Sequence, residues 1–143
     1  MTTHTITLSD KPDPAVAKAL VGMLVQFNNA GSGRPFDQRT LVITVTDPET
    51  NEILGGLWGS TSYDNLHIDM LFLPESLRRQ GFGTQLMRQA EEEASQRGCC
   101  GSYLDTFDFQ ARGFYERLGY TVFGTLEDNP PGHQRFFLSK KLG

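Results

Sequence analysis

Apolar and polar positions divide the chain into segments of two periods. The segment from Leu66 to Leu73, which stops at Pro74, reads as a strand of period two with one covered face. From Leu86 onward, Leu86, Met87, Ala90 and Ala94 recur at helical spacing, and Gly98 ends the run. The same reading predicts a short first strand at residues 5–8, then a helix that Asp13 caps and Pro14 opens, with Val16, Leu20, Met23, Leu24 and Phe27 along one face. A glycine-rich loop is expected over residues 28–37. Strands follow at 41–46 and 52–60 around the turn 47–51, and the Tyr63-Asp64-Asn65 turn leads into the strand at 66–73. After the central helix the pattern predicts a strand at 102–107, a short helix at 109–118 stopped by Gly119, and last strands at 121–126 and 135–140. The order β-α-β-β-β-α-β-α-β-β describes one α+β domain over residues 1–143, without repeats.

Within that order the segment Arg78-Arg79-Gln80-Gly81-Phe82-Gly83-Thr84 carries the clearest chemistry. Its glycines fall at the start of the central helix, where the first N–H groups lack intrahelical partners and the helix dipole favours negative charge. A phosphate can be held there by main chain that glycine lets approach closely, and two arginines add positive charge. Position 86 is leucine where a dinucleotide fingerprint has its third glycine, and the Gly-Lys-Ser/Thr of a P-loop is absent, so neither nucleotide motif is met.

Arg78, Gly81 and Gly83 instead satisfy the R/Q-x-x-G-x-G/A pyrophosphate loop, and Phe114-Tyr115-Glu116-Arg117-Leu118-Gly119-Tyr120 resembles a second signature of the same family. In these two motifs the chain resembles the GNAT superfamily of N-acetyltransferases, from about Leu41 to the C-terminus. The resemblance implies a three-layer α/β/α arrangement in which a mixed, mostly antiparallel sheet carries a central cofactor-binding helix. It also implies acetyl-CoA as acyl donor and direct attack by a primary amine in a ternary complex. Arg78, Arg79, Gly81, Phe82, Gly83 and Thr84 would surround the pyrophosphate, and the main chain of Leu71, Phe72 and Leu73 would bind the pantetheine arm. The family often has two helices in its N-terminal region, where this chain shows one. Relatives also frequently carry asparagine where Asp108 stands. An aspartate there either contacts the cofactor as an acceptor only or caps the following helix.

Tyr115 matches the tyrosine that lies beside the thioester sulfur in many relatives, and a phenol of ordinary pKa near 10 stays protonated at working pH. Ala111, Phe114, Tyr115 and Leu118 also form a helical stripe, so Tyr115 would face the core in any case. For the base, His67 and Asp69 stand two apart on one strand, with Leu71 and Leu73 assigned to their face and Leu66, Ile68, Met70 and Phe72 to the other. Relatives favour an acidic residue, Asp69; intrinsic pKa favours His67. Glu52, Trp58 and Tyr63, loop residues Asn28, Asn29, Arg34 and Phe36, and His133 with Arg135 are further candidates to line the acceptor pocket.

Composition narrows the classes. A net charge of −4 and a pI near 5.3 argue against a nucleic-acid partner and mildly favour a cationic acceptor, a small-molecule amine or a protein amine. No apolar run reaches the length of a membrane span and no leader pattern opens the chain, so no membrane partner and a cytoplasmic location are expected. Adjacent Cys99 and Cys100 have the wrong spacing for zinc and would strain a disulfide. They are read as buried or partly buried thiols, no metal is expected, and acylation of either thiol ranks last among the mechanisms. Glu91-Glu92-Glu93 is read as the solvated side of the central helix. Open strand edges leave room for a homodimer. The alternative function is a non-catalytic acyl-CoA sensor of the same fold.

Overall fold

A computed structural model describes residues 3–11 and 13–143. The chain falls into two compact units, one ending at Phe36 and the other spanning Asp37–Gly143.

In the first unit residues 5–8 form no ladder, so the strand expected there is absent, and Ile6 and Leu8 are exposed. A strand is held by hydrogen bonds to a neighbour, which alternation alone does not provide. Helix α1 spans Pro14–Ser32. Asp13 accepts the Ala15 N–H at 2.9 Å, and Gly33 ends the helix at φ 70° with its N–H on the Asn29 carbonyl. The helix therefore extends through Asn28–Ser32, where a loop was expected. No proline interrupts it before Pro35, and a helix once formed gains a bond with each residue added. The apolar stripe of α1 exists as read and is exposed.

The second unit contains strands β1 (Arg39–Thr46), β2 (Ile53–Ser62), β3 (Asn65–Phe72), β4 (Gly101–Phe107), β5 (Thr121–Glu127) and β6 (Gln134–Lys141). Helix α2 is Phe82–Gln96, α3 is Arg112–Arg117, and a 3₁₀ turn covers Glu75–Leu77. One sheet of order β1-β2-β3-β4-β6-β5 results, parallel only between β3 and β4. It is the mixed, mostly antiparallel sheet that was expected, with α2 crossing between its parallel pair.

Turn chemistry sets the hairpins. Asp47 accepts the N–H groups of Glu49 at 2.8 Å and Thr50 at 3.0 Å, which holds its carboxyl below the ordinary range. Tyr63 and Asp64 both take positive φ, 49° and 57°, as the tight turn between β2 and β3 requires.

The core lies between α2 and one face of the sheet. Leu86, Met87, Ala90 and Ala94 are buried there with Leu57, Leu66, Ile68, Leu104 and Leu138. Each fully buried Leu or Met contributes about 1.5–3 kcal/mol. A polar strut joins the layers: the Tyr120 hydroxyl lies 2.8 Å from Ser102 Oγ and donates to Glu91 Oε2 at 2.9 Å, while Lys140 Nζ meets Glu91 Oε1 at 2.7 Å. Glu91 thus turns inward and does not belong to a uniformly solvated side of α2. Cys99 is buried and Cys100 is exposed, a departure from two covered thiols; both are free. Burial raises the Cys99 thiol pKa. No helix among the described residues is long and apolar enough to cross a membrane.

Candidate active site

Strands β3 and β4 part company partway along their length. Their ladder runs from Asn65↔Gly101 to Ile68↔Leu104 and stops, although β3 continues to Phe72 and β4 to Phe107. On its other side β3 stays paired with β2 as far as Phe72↔Gly56. Backbone groups of residues 69–72 on the β4 side therefore have no ladder partner, and a wedge opens in the sheet. An extended ligand can complete such an edge by main-chain hydrogen bonding, as an added strand does. Leu71, Phe72 and Leu73 line the β3 side of the wedge, although the Leu73 carbonyl already accepts Arg78 Nε at 2.9 Å.

At the same end of β3 the loop 78–81 delivers the chain into α2. Arg79 at φ 64° and Gly81 at φ 84° turn the backbone through the left-handed region. Gly81 is the N-cap and has no side-chain cap, and the first helical bond is Gln85 N–H to the Gly81 carbonyl at 3.0 Å. The N–H groups of Phe82, Gly83 and Thr84 meet no acceptor among the described residues. This free N-terminus beside two arginines suits an anion. Gly83 serves packing as well: a Cβ there would stand 3.2 Å from the Phe114 ring and 3.7 Å from Leu73. The end of β3, the start of α2 and α3 therefore meet closely at this glycine. The wedge and the open helix end together fit a pyrophosphate with an extended arm.

His67 and Asp69 come together, as period two implies, with Nδ1 2.7 Å from Oδ1. The rest of the facial assignment is corrected. The β2–β3 register shifts between Trp58↔Met70 and Gly59↔Ile68, which makes Asp69 the extra residue of a β-bulge. Past a bulge the side-chain phase inverts. Leu71 and Leu73 therefore join the core with Leu66 and Ile68, while Met70 and Phe72 are exposed. His67 stacks on Tyr103 with ring centroids 4.6 Å apart, on the sheet face away from α2.

Tyr115 is buried on α3, edge-on to Phe114 at 5.1 Å and to Tyr120 at 6.2 Å. Its hydroxyl makes no hydrogen bond among the described residues, and the oxygen is not one of the fully buried polar atoms that lack a partner. Burial first and the Asp105 carboxylate second push the phenol up to about 12.

Asp108 is not a helix cap. Helix α3 begins at Arg112 behind Ala111, which has no side-chain cap, so the helix is shorter than the 109–118 expected. Both Asp108 oxygens are engaged elsewhere, on His133 Nδ1 at 2.8 Å and the Gln134 N–H at 2.9 Å. The Gln134 N–H, with help from His133, lowers its pKa. His133 is thus tied to Asp108, and Arg135 to Asp105 at 2.7 Å. Glu52 lies in the β1–β2 turn, whereas Trp58 pairs with Met70 beside the bulge. Asn28, Asn29, Arg34 and Phe36 belong to the first unit, where Asn29 Oδ1 accepts the Phe36 N–H at 2.9 Å. Sequence reasoning passed over Asp105. Its position beside the wedge depends on a parallel register that no local pattern reports.

Comparison with known proteins bears on this geometry. Residues 15–120 match the model of the acetyltransferase (GNAT) family. Acetyltransferase Atu2258 of Agrobacterium fabrum is 40% identical over 135 residues, covering 94% of this chain and 97% of that protein. Blasticidin-S acetyltransferase of Streptomyces morookaense is 41% identical over 95 residues, 66% of this chain and 70% of that one. A crystal structure of an acetyltransferase from Agrobacterium tumefaciens superposes with TM-score 0.89 at 39% identity, over 97% of this chain and 100% of that chain. The fold alone is shared with an aminoglycoside 6'-N-acetyltransferase complexed with coenzyme A, at 18% identity and TM-score 0.62 over 96% of this chain and 97% of that one. These relatives favour an acyl-transferring enzyme over the sensor alternative, and the chain belongs to the GNAT family of acetyltransferases.

Proposed function

We propose that this enzyme transfers the acetyl group of acetyl-CoA to a primary amine, with both substrates bound at once. The observation that carries the reading is the wedge between β3 and β4 leading to the uncapped N-terminus of α2. Arg78, Arg79 and the N–H groups of Phe82, Gly83 and Thr84 would hold the pyrophosphate, and the open β3 edge at Leu71 to Leu73 would hold the pantetheine arm. Asp108, with one oxygen engaged on His133 in the turn before β6 and the other on Gln134 at its start, supports the site from a distance. When bound, acetyl-CoA supplies an activated acyl group as a thioester. The coenzyme A complex of an aminoglycoside acetyltransferase with this fold supports that donor. A relative named for blasticidin S supports a small-molecule acceptor.

The chain's own groups then perform three tasks. Holding amine and thioester together supplies most of the rate, about 7–11 kcal/mol in well-oriented systems. The His67–Asp69 pair receives the proton that the amine must lose, directly or through a water molecule. Tyr115 would offer its protonated phenol to the departing sulfur. With its pKa near 12, the phenol is a weaker acid than a thiol, whose ordinary pKa is about 8.5. A complete proton transfer to a free thiolate would be uphill by about 5 kcal/mol. Tyr115 therefore acts chiefly by donating a hydrogen bond as charge develops, and the proton lost by the amine completes the balance.

Free-thiol release, followed with acetyl-CoA across a panel of amines, tests the reading. One thiol per acetyl group transferred, rising with amine concentration, is expected. Release that ignores the amine, or no release with any amine, would overturn it.

A further inference from the structure

The last β3–β4 pair is Ile68↔Leu104, and the next residue on each strand is an aspartate, Asp69 on β3 and Asp105 on β4. Parallel neighbours lie about 4.8 Å apart at a ladder and separate beyond it. The two carboxylates therefore stand at the apex of the wedge, one on each wall. Both occupy the face away from α2. Asp69 is fixed there by His67, which stacks on Tyr103. Asp105 alternates along β4 with buried Leu104 and Thr106, and so shares the face of Tyr103 and Phe107.

Asp105 is held as firmly as Asp69. Arg135 Nε meets Asp105 Oδ2 at 2.7 Å, and the guanidinium lies 5.3 Å from the ring centroids of both Phe107 and Phe137. In each aspartate one oxygen is engaged and the other meets no donor among the described residues. The charge of Asp105 also reaches the Tyr115 phenol, after burial as the larger cause of its raised pKa.

Acylating an amine requires one proton acceptor, which the His67–Asp69 pair supplies. Asp105 has no proton to take, and its free oxygen suits a donor that keeps its charge. On the acetyltransferase reading above, we infer that Asp105 is an acceptor-binding residue of this site, and that the acceptor carries a positive charge in addition to the amine that is acylated. Arg135 offsets part of the carboxylate's field, so recognition of the second charge rests on the free Asp105 oxygen.

The test compares kcat/KM for 1,4-diaminobutane and 4-amino-1-butanol, equal in length and different in the second charge, at saturating acetyl-CoA. Wild-type protein is expected to prefer the diamine at least about tenfold, and the preference should shrink as salt screens half-exposed carboxylates. In D105N the ratio between the two acceptors should fall about tenfold, mainly through KM for the diamine. Thiol release without preference in wild type, or a preference that D105N leaves intact, would overturn the inference and leave the acetyltransferase reading standing. No release with any amine would overturn both. The salt series on wild type needs no variant to fold.

Discussion

Replacing Tyr115 with phenylalanine separates a catalytic from a packing role, because the structure predicts a loss of rate without a loss of stability. The side chain is 8% exposed and its hydroxyl has no hydrogen-bond partner among the described residues. The hydroxyl oxygen is not among the fully buried atoms left without a partner, so its deletion should leave stability within about 1 kcal/mol of wild type. Turnover should fall. Loss of one donor aimed at developing charge costs about 10²–10³ in rate, or roughly 2.7–4 kcal/mol. Alkaline pH adds a third signature. The phenol is raised to about 12, by burial first and Asp105 second, so its contribution to stability is complete below its ordinary pKa and is lost as pH rises through that raised value. Two units correspond to at most about 2.7 kcal/mol, and Y115F should lack that loss. Urea unfolding at pH 8 and pH 11, paired with thiol-release kinetics, reads all three effects. Turnover within about threefold of wild type would refute the assigned role. A parallel fall of stability and rate would reduce Tyr115 to a packing residue.

Three further outcomes are expected. Y120F cuts the strut between Ser102 and Glu91 and should lower stability by about 1–3 kcal/mol in urea titration, with acetyl-CoA affinity little changed. G83A places a Cβ 3.2 Å from the Phe114 ring, so the ring must shift. Acetyl-CoA affinity by calorimetry should fall about tenfold, with overpacking costing about 1–3 kcal/mol. D69N should lower kcat about 10²-fold while acetyl-CoA still binds, as loss of a proton acceptor implies; an unchanged kcat would transfer the role to His67 or to water.

What the sequence revealed, and what it did not, follows the range of the interactions involved. Helix α2 was legible because Leu86, Met87, Ala90 and Ala94 encode its buried face within one segment. The anion loop was legible for the same reason. The strand expected at residues 5–8 depends on a partner, and partnership is a property of distant chain. The bulge at Asp69 was missed because the four residues after it, Met70 to Leu73, are all apolar and do not report which of them face the core, so Met70 and Phe72 were assigned with Leu66 and Ile68 by period two. Asp108 looked like a cap because it precedes a helix, yet its partners His133 and Gln134 lie 25 and 26 residues away. Asp105 and the inward turn of Glu91 likewise depend on register between strands and on packing between layers.

The central claim is that the wedge and the open end of α2 form the acetyl-CoA site. Amide hydrogen exchange with and without acetyl-CoA tests it most directly. Slowed exchange at residues 69–72 and at Phe82, Gly83 and Thr84, with no comparable change along β1, is the expected result. Binding that leaves those amides unprotected, or protects a different edge of the sheet, would contradict the assignment.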